Sequence, residues 1–141
     1  MELINVADLI IINDKNQVLL AKRKYEGKFC WSIPGGRCEA KETFEEAIHR
    51  EIKEELGCEI KALDYFKSYY LKKSKEKHYR VIYFYGKIKG RLRLNDELEE
   101  CRWFDIDNTN IYNINFFLNQ KKVISSFIKF YNKSFHNQSI N

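Results

Sequence analysis

The feature that most constrains this chain is the stretch 36–58, where acidic residues recur at helical spacing behind a glycine-rich turn. Thr43 can cap a helix, and Glu46 three positions later completes a capping box with it. Gly57 fits the left-handed position just past a helix end. The stretch therefore predicts a helix of about thirteen residues between Thr43 and Gly57, a common helix length.

The acids of this helix lie beside its apolar face. The apolar positions are Phe44, Ala47, Ile48, Ile52 and Leu56. A helical wheel places Glu51 and Glu55 inside that apolar sector and Glu54 on its flank. Like charges three and four residues apart destabilise a helix by roughly 0.2–0.5 kcal/mol per pair, so the cluster needs a cation. Arg50 supplies one positive charge, and the remaining anionic oxygens suit a hard divalent ion such as Mg²⁺.

The turn before the helix favours the same interpretation. Pro34 is followed by Gly35 and Gly36, which predicts a sharp backbone turn. Glycines also let the backbone approach an ion or a phosphate closely. The alternative is a loop followed by a surface helix whose charges pair as Glu46–Arg50 and Arg50–Glu54.

The stretch resembles the signature of the Nudix hydrolase family, G-x5-E-x7-R-E-U-x-E-E-x-G-U, in which U is a bulky apolar residue. The matching residues are Gly36, Glu42, Arg50, Glu51, Glu54, Glu55 and Gly57, with Ile52 and Cys58 at the U positions. The chain is thus identified as a MutT-like member of that family. The resemblance implies an α/β fold, an α/β/α sandwich around a mixed β-sheet.

The resemblance also implies an enzyme that hydrolyses nucleoside diphosphates linked to another group. Its metal ligands, for Mg²⁺ or Mn²⁺, are Glu51, Glu54, Glu55 and the backbone carbonyl of Gly35. Arg50 is expected to orient the glutamates by bidentate pairing, and Glu42 to hold the loop and helix together. Metal ions stabilise the charge that develops on phosphate oxygens and activate a bound water. Glu54 is expected to accept the proton from that water.

An acid outside the stretch is an alternative general base, and the family often places one upstream of a strand like Arg102–Trp103–Phe104. Glu97, Glu99 and Glu100 all qualify; we favour Glu97, also as a further metal ligand. At least two of these three acids are expected to lie in a solvated turn.

Substrate contacts are expected nearer the N-terminus. Arg23 lies at the end of a predicted strand, where the resemblance implies a phosphate contact; a solvated basic run, 22–24, is the alternative. Phe29 and Trp31 can stack on a base, although packing in the core is the more common fate of such residues.

The rest of the chain predicts a mixed α/β domain. The expected elements are a hairpin of strands 3–12 and 17–21, a loop at 25–31, a basic hairpin tip at 72–77, strands at 78–89 and 101–105, a loop or irregular helix at 105–118, and an amphipathic helix at 119–131. We expect a single domain over 1–133 and a polar tail at 134–141.

Composition excludes several classes of protein. The chain has 141 residues, 44% of them hydrophobic, and a net charge of +5. No apolar run is long enough for a membrane span, and no secretory signal is evident, so we expect a cytoplasmic protein. The four cysteines, at 30, 38, 58 and 101, form no C-x-x-C pair and are expected to be reduced thiols rather than zinc ligands.

The leading interpretation is a magnesium-dependent enzyme that cleaves a nucleoside triphosphate to a monophosphate and pyrophosphate. The stretch 18–36 resembles that of triphosphate-cleaving members. ADP-ribose, nucleotide sugars, dinucleoside polyphosphates and capped RNA ends stay open as substrates, and so does a homodimer. Two alternatives come from other classes: a non-catalytic nucleotide-sensing Nudix domain, and an RNA-binding or RNA-processing protein, which the basic hairpin tip suggests.

Overall fold

The computed structural model describes residues 1–107 and 109–136. Its strands are β1 (Glu2–Ile12), β2 (Gln17–Tyr25), β3 (Lys28–Ser32), β4 (Gly35–Arg37), β5 (Glu59–Lys72), β6 (Lys77–Lys89) and β7 (Leu98–Asp105). Its helices are α1 (Phe44–Leu56) and α2 (Gln120–Tyr131), with a 3-10 helix at Thr109–Asn113 and a π-helical turn at Asn132–His136.

The strands form one mixed sheet with the order β3-β2-β1-β6-β5. The central pair β1–β6 is parallel, and the pairs around it are antiparallel. Strand β4 pairs with β1, and β7 pairs with β2. Since parallel strands need a crossover connection, α1 lies in the long connection between β1 and β6.

The helices cover opposite faces of the sheet, and each closes its own apolar core. The α1 core contains Ala47, Ile48, Ile52 and Leu56 against Ala7, Leu9 and Ile11. The α2 core contains Val123, Ile124, Phe127 and Ile128 against Ile10, Ile12 and Val81. Alternate residues of β1 therefore enter alternate cores, as the two-residue period of a strand requires. The predicted α/β/α sandwich is confirmed.

The sheet opens beside the first hairpin. Strands β1 and β2 pair only at Ile11–Leu19 and Ile12–Val18. Beyond that point β2 pairs with β3, and β1 pairs with β4. The segment between β3 and β4 crosses this opening, where the Pro34 carbonyl accepts a hydrogen bond from the Leu9 amide at 2.8 Å. The Gly35–Gly36 segment is thereby fixed against the middle of β1.

The prediction of a loop at 25–31 is wrong. The chain instead makes a second hairpin, in which β2 extends to Tyr25 and β3 begins at Lys28. Its two-residue turn has positive φ at both positions, 50° at Glu26 and 80° at Gly27. Positive φ at both central residues matches the twist of antiparallel strands. The pair Glu26–Gly27 is therefore the sequence signal for this hairpin, and it was not used in the prediction.

The glycines after Pro34 form the short strand β4 rather than a free turn. Gly35 lies opposite Asp8 in the β1–β4 register and has a φ of 151°. A Cβ atom there would lie 2.2 Å from both the Ala7 carbonyl oxygen and Asp8 Oδ1. Only glycine permits this approach of two backbones.

The helix predicted after this turn is confirmed, together with both of its ends. The Glu46 amide donates to Thr43 Oγ1, and the Thr43 amide donates to Glu46 Oε1, each at 3.0 Å. Gly57 ends α1 with a φ of 69°. Glu46 is thus engaged in the capping box, and the alternative Glu46–Arg50 pair does not form.

The remaining elements follow the predictions with shifted bounds. Strands β5 and β6 form one long hairpin around the basic tip, and β7 begins at Leu98, before the predicted strand at 101–105. Helix α2 is confirmed within one residue of its predicted start. The four cysteines are free thiols. Within the described residues, no helix is long and apolar enough to cross a membrane.

The domain boundary at 133 stays a prediction. The π-helical turn Asn132–His136 carries the chain on from α2, and the rest of the predicted tail, 137–141, lies outside the described residues.

Candidate active site

Arg50 organises the acids on the outer side of α1. Its guanidinium makes a bidentate pair with Glu42, at 2.8 Å from Nε and 2.9 Å from Nη2. Its Nη1 donates to Glu51 at 2.8 Å and to Glu54 at 3.1 Å. Its Nη2 also donates to the Arg37 carbonyl oxygen at 3.0 Å. One side chain thus ties the helix to the loop before it and to β4.

The charges explain why these acids tolerate one another. The hydrogen bonds from Arg50 lower the pKa of Glu42 to about 2. The same acid accepts a hydrogen bond from the Glu39 amide at 2.8 Å. Burial raises the pKa of Glu51, a shift that its pairing with Arg50 opposes. Arg50 therefore keeps Glu42 ionised and fixed.

Glu55 belongs to the inner side of the helix. It is buried, with 3% of its surface exposed. Its Oε1 accepts from the Gly35 amide at 2.9 Å, and its Oε2 accepts from Arg23 Nη2 at 3.0 Å. Burial raises the pKa of Glu55, and the positive charge of Arg23 opposes that rise. Metal binding at Glu55 would have to compete with both hydrogen bonds.

Gly36 gives Glu51 its place. A Cβ atom at Gly36 would lie 2.5 Å from Glu51 Cδ and 2.6 and 2.7 Å from the two carboxylate oxygens. Any other residue would push this carboxylate away from the backbone of β4. The glycine of the signature is thus explained by the space that the Glu51 carboxylate needs.

The donors present fit a divalent metal ion. Glu51, Glu54 and Glu55 supply carboxylate oxygens from adjacent turns of one helix, and Gly35 of β4 faces this helix, where its amide bonds Glu55. Oxygen ligands with excess negative charge suit Mg²⁺ and Mn²⁺. Among the described residues, no three acidic, histidine or cysteine side chains already converge on one point. Arg50 bonds Glu51 and Glu54, whereas Arg23 bonds Glu55. Metal binding therefore requires the three carboxylates to rotate towards a common point.

A buried polar cluster on the α2 face was not predicted. Asp8 is 6% exposed, and its Oδ2 accepts from Gln120 Nε2 at 3.3 Å. Gln120 Oε1 in turn accepts from the Ile33 amide at 2.8 Å. Burial raises the pKa of Asp8, and the negative charge of Glu55 adds to the rise. Burial likewise raises the pKa of Tyr83, which hydrogen-bonds Gln120.

This cluster lines a cleft of about 700 Å³ beside the glutamates. Its walls come from β1, the end of β2, the segment from the end of β3 through β4, the β5–β6 hairpin and the segment that leads into α2. Apolar and aromatic walls are supplied by Val6, Tyr25, Leu71, Tyr79, Val81, Tyr83, Phe117 and Leu118. Gly35, Gly36 and Arg23 lie at one end, next to Glu55. The volume and the few polar groups suit a drug-sized or nucleotide-sized ligand.

The expected substrate contacts separate in the structure. Arg23 lines the cleft, where its Nε donates to Ser32 Oγ at 2.8 Å. Trp31 is 8% exposed and packs edge-on against Phe104, which favours the core-packing alternative. Phe29 is 46% exposed beneath Lys22 and Lys24. Neither aromatic residue is among the described residues that line the cleft.

The acids before and within β7 lie at different distances from this centre. Glu97 is exposed in the turn before β7, and its carboxylate has no hydrogen bond or ion pair among the described residues. Glu99 is also exposed, within β7. Glu100 pairs with Lys22 at 3.8 Å and with Arg102 at 3.2 Å. The role of Glu97 as a further ligand stays a prediction.

Comparison with known proteins agrees with this geometry. The NUDIX domain model matches residues 3–127, so the chain belongs to the Nudix family. Nudix hydrolases generally use divalent metal ions, in keeping with the donors on α1.

Sequence relatives within this family carry several names. An ADP-ribose pyrophosphatase of Methanocaldococcus jannaschii is 37% identical over 101 residues, covering 70% of this chain and 60% of that protein. An NAD-capped RNA hydrolase, NudC, of Chromobacterium violaceum is 31% identical over 106 residues, covering 74% of this chain and 39% of that protein. The chain thus spans less than two thirds of the length of either relative.

Solved structures show the same fold. The E. coli ORF135 protein superposes with a TM-score of 0.80 at 22% identity, covering 95% of this chain and 93% of that one. The MutT protein of Methanosarcina mazei Go1 superposes with a TM-score of 0.76 at 23% identity, covering 94% and 96%.

Proposed function

We propose that this protein hydrolyses a phosphoanhydride bond in a nucleoside diphosphate derivative, with Mg²⁺ or Mn²⁺ as the cofactor. The leading substrate class is a nucleoside triphosphate, cleaved to a monophosphate and pyrophosphate. The observation that carries this proposal is the junction at Gly35. There the glutamates of α1 meet the end of a nucleotide-sized cleft through the hydrogen bond from the Gly35 amide to Glu55.

The chain's own residues then take separate roles. Glu51, Glu54, Glu55 and the Gly35 carbonyl would hold the metal, which, when bound, supplies Lewis-acid stabilisation of phosphate charge and a more acidic water. Arg50 and Glu42 hold the glutamates in place. Arg23 faces the cleft and is suited to a phosphate oxygen once Glu55 turns to the metal.

The reaction consumes one water molecule. Its oxygen forms a bond to phosphorus, the bridging P–O bond breaks, and the departing phosphate group carries away the bonding electrons. We assign the proton of the water to Glu54, because that side chain is exposed and held only by Arg50 at 3.1 Å. A general base must come within hydrogen-bonding distance of the proton that it accepts. Among the glutamates of the Nudix signature, Glu54 is the most free to move.

The walls of the cleft decide the substrate. Tyr25, Tyr79 and Phe117 provide ring surfaces for a base, and Gln120 and Asp8 provide buried hydrogen-bonding groups. Stacking on aromatic rings is worth roughly 1–3 kcal/mol per base. The relatives named above act on different compounds, so the family alone leaves the substrate open within this reaction class. A cytoplasmic location and a small-molecule nucleotide as partner complete the proposal.

A screen with Mg²⁺ that separates and quantifies the nucleotide and phosphate products by anion-exchange chromatography tests this proposal. The panel contains the common and oxidised nucleoside triphosphates, ADP-ribose, a nucleotide sugar, diadenosine polyphosphates and a 5′-triphosphate RNA. A preferred triphosphate that yields monophosphate and pyrophosphate is the expected result. Turnover of ADP-ribose or a dinucleotide would keep the mechanism and change the substrate. Silence across the panel would favour a nucleotide-binding role without catalysis.

A further inference from the structure

The cleft extends well beyond the glutamates. Its inner end is the row formed by Gly35, Asp8 and Tyr83, which face one another across β4, β1 and β6. Its outer end is the row formed by Tyr79 and Leu71, which pair across β6 and β5. Four residues of β6 separate the two rows, a distance of about 13 Å at the rise of a strand.

The outer part of the cleft is basic. Lys72 and Lys73 of the β5–β6 hairpin line its outer end, and Arg37 of β4 lines it halfway, in the row of Val81. We call these three residues the outer rim. All three are exposed. Among the described residues, none of their side chains has an ion pair or a hydrogen bond. The backbone beneath them is held, because the amides of Lys73 and Ser74 both donate to the Lys77 carbonyl oxygen.

The lining of the cleft does not neutralise the rim. The only acid among its described lining residues is Asp8, which belongs to the inner end and is buried against Gln120. The fourth cation of the lining, Arg23, is already paired with Glu55 at the inner end. The three cations of the outer rim, one halfway along the cleft and two at its outer end, therefore remain available to a ligand.

The distance between the two ends defines that ligand. If a phosphoanhydride lies at the glutamates, as the proposed function requires, the ribose and base extend along the cleft towards the outer rim. A base and a ribose carry no negative charge that would match three cations. A phosphate ester on the ribose would place its charge there, on the side opposite the phosphoanhydride.

We propose that the outer rim binds a phosphate ester carried on the ribose of the substrate nucleotide. This inference rests on the proposed function for the direction in which the nucleotide lies. The chemistry is that of a ribose 3′-phosphate, whether as a monoester on a free nucleotide or as the first internucleotide linkage of a 5′-triphosphate RNA. Arg37, Lys72 and Lys73 are specificity-determining residues for substrates that carry this group.

The test compares three adenosine compounds with the full chain and Mg²⁺. They are ATP, adenosine 5′-triphosphate 3′-monophosphate, and the dinucleotide pppApG. The expected kcat/KM for pyrophosphate release is about tenfold higher for the 3′-phosphorylated compounds, the effect of one charge-assisted hydrogen bond. Preference for both compounds identifies the phosphate alone as the group recognised. A preference for pppApG alone identifies the RNA chain as the source of the recognised phosphate.

Two double variants separate the rim from general electrostatics. K72Q/K73Q removes two rim cations, and the preference over ATP is expected to fall to about onefold to twofold. K75Q/K77Q removes the same charge from the same hairpin at exposed positions that do not line the cleft, and it is expected to keep the preference. Equal preference in both variants, or no preference in the parent chain, overturns the proposal.

Binding of the three compounds, measured by calorimetry without metal, keeps this inference separate from the proposed function. Tighter binding of the 3′-phosphorylated compounds without pyrophosphate release from any of them would overturn triphosphate hydrolysis and support the rim. Pyrophosphate release from ATP, with equal binding and turnover of all three compounds, would support triphosphate hydrolysis and overturn the proposal for the outer rim.

Discussion

The acidic side of α1 and the cleft beside it are built from the chain in opposite ways. Arg50 meets all its partners within thirteen residues of its own position, including Glu42 eight residues away. The cleft depends on contacts across the whole chain, since Gln120 bonds Asp8 at a separation of 112 residues and Ile33 at 87. A site made of near neighbours leaves a readable spacing in the sequence. A site made of distant ones does not.

Glu55 is where the two regions join. It is carried by α1, yet both of its oxygens bond to groups on the cleft side, Gly35 and Arg23. A change at Glu55 therefore bears on both regions, whereas changes at Arg50 and Gln120 each bear on one.

Glu55→Gln is expected to lower the rate of pyrophosphate release by roughly 10³-fold, because it removes the charge of one proposed metal ligand. Circular dichroism should show an intact fold. The control is Glu45→Gln, which makes the same charge change at an exposed position on the same helix. Near-normal turnover of the Glu55 variant would remove this residue from the metal site.

Arg50→Lys tests how far the acidic side of α1 depends on geometry rather than charge. Lysine keeps the charge but cannot make the bidentate pair with Glu42 or reach the other three oxygens together. The free energy of unfolding is expected to fall by about 2 kcal/mol, measured by denaturant titration. Arg102→Lys, which alters an exposed pair with Glu100, is the matched control. Equal effects in the two variants would contradict a central role for Arg50.

Gln120→Leu tests the cleft in the same way. It leaves the Ile33 amide and Asp8 without their partner while keeping the volume of the side chain close to the original. The expected loss in unfolding free energy is about 1.5 kcal/mol, because buried polar groups are left unsatisfied. Lys121→Leu, on the exposed side of α2, should have little effect. A neutral Gln120 variant would show that the cluster adds no stability.

Arg23→Gln tests the junction itself. Since Arg23 occupies one oxygen of Glu55, its removal is expected to tighten Mn²⁺ binding severalfold while it lowers turnover. Mn²⁺ binding is measured by electron paramagnetic resonance. Lys22→Gln removes a neighbouring charge that pairs with Glu100 instead, and it corrects for long-range electrostatics. Unchanged affinity relative to that control would mean that Arg23 and the metal do not compete.

The pH dependence of stability should show the smallest effect. Pairing with Arg50 lowers the pKa of Glu42 from its ordinary 4.5 to about 2. An acid whose pKa is lower in the folded state stabilises the fold fully above its unfolded-state pKa. That contribution is lost as the pH falls through the folded-state pKa. The melting temperature, measured between pH 5 and pH 2, should therefore fall less steeply with decreasing pH for Glu42→Gln than for the parent chain. Parallel curves would show that Glu42 does not contribute to the pH dependence.

The parts that sequence predicted best are those governed by local chemistry. Thr43 and Glu46 make their capping box, Gly57 ends the helix, and Glu55 lies deeper than Glu54, as a helical wheel requires. Each of these outcomes depends on residues within one or two turns of each other. The resemblance to the Nudix family then extended this local pattern to the whole sandwich.

The cleft was missed because its residues look ordinary one at a time. Asp8 was a weak signal, as the only acid in the apolar run 3–12, which a buried strand must accommodate. Gln120 sits at the start of an amphipathic helix, where a glutamine is unremarkable. Trp31 had the chemistry to stack on a base, but the β2–β3 hairpin packs its ring edge-on against Phe104. Only the tertiary fold brings Asp8, Gln120 and Gly35 together.

Paramagnetic broadening by Mn²⁺ in an amide nuclear magnetic resonance spectrum tests the central claim most directly. The claim is that the metal is held between Gly35 of β4 and the last turns of α1. Substoichiometric Mn²⁺ is expected to broaden the amides of Gly35, Gly36 and 51–55 first, with smaller effects at the amides of 97–100. Broadening centred on 97–100 with 51–55 unaffected would contradict the account.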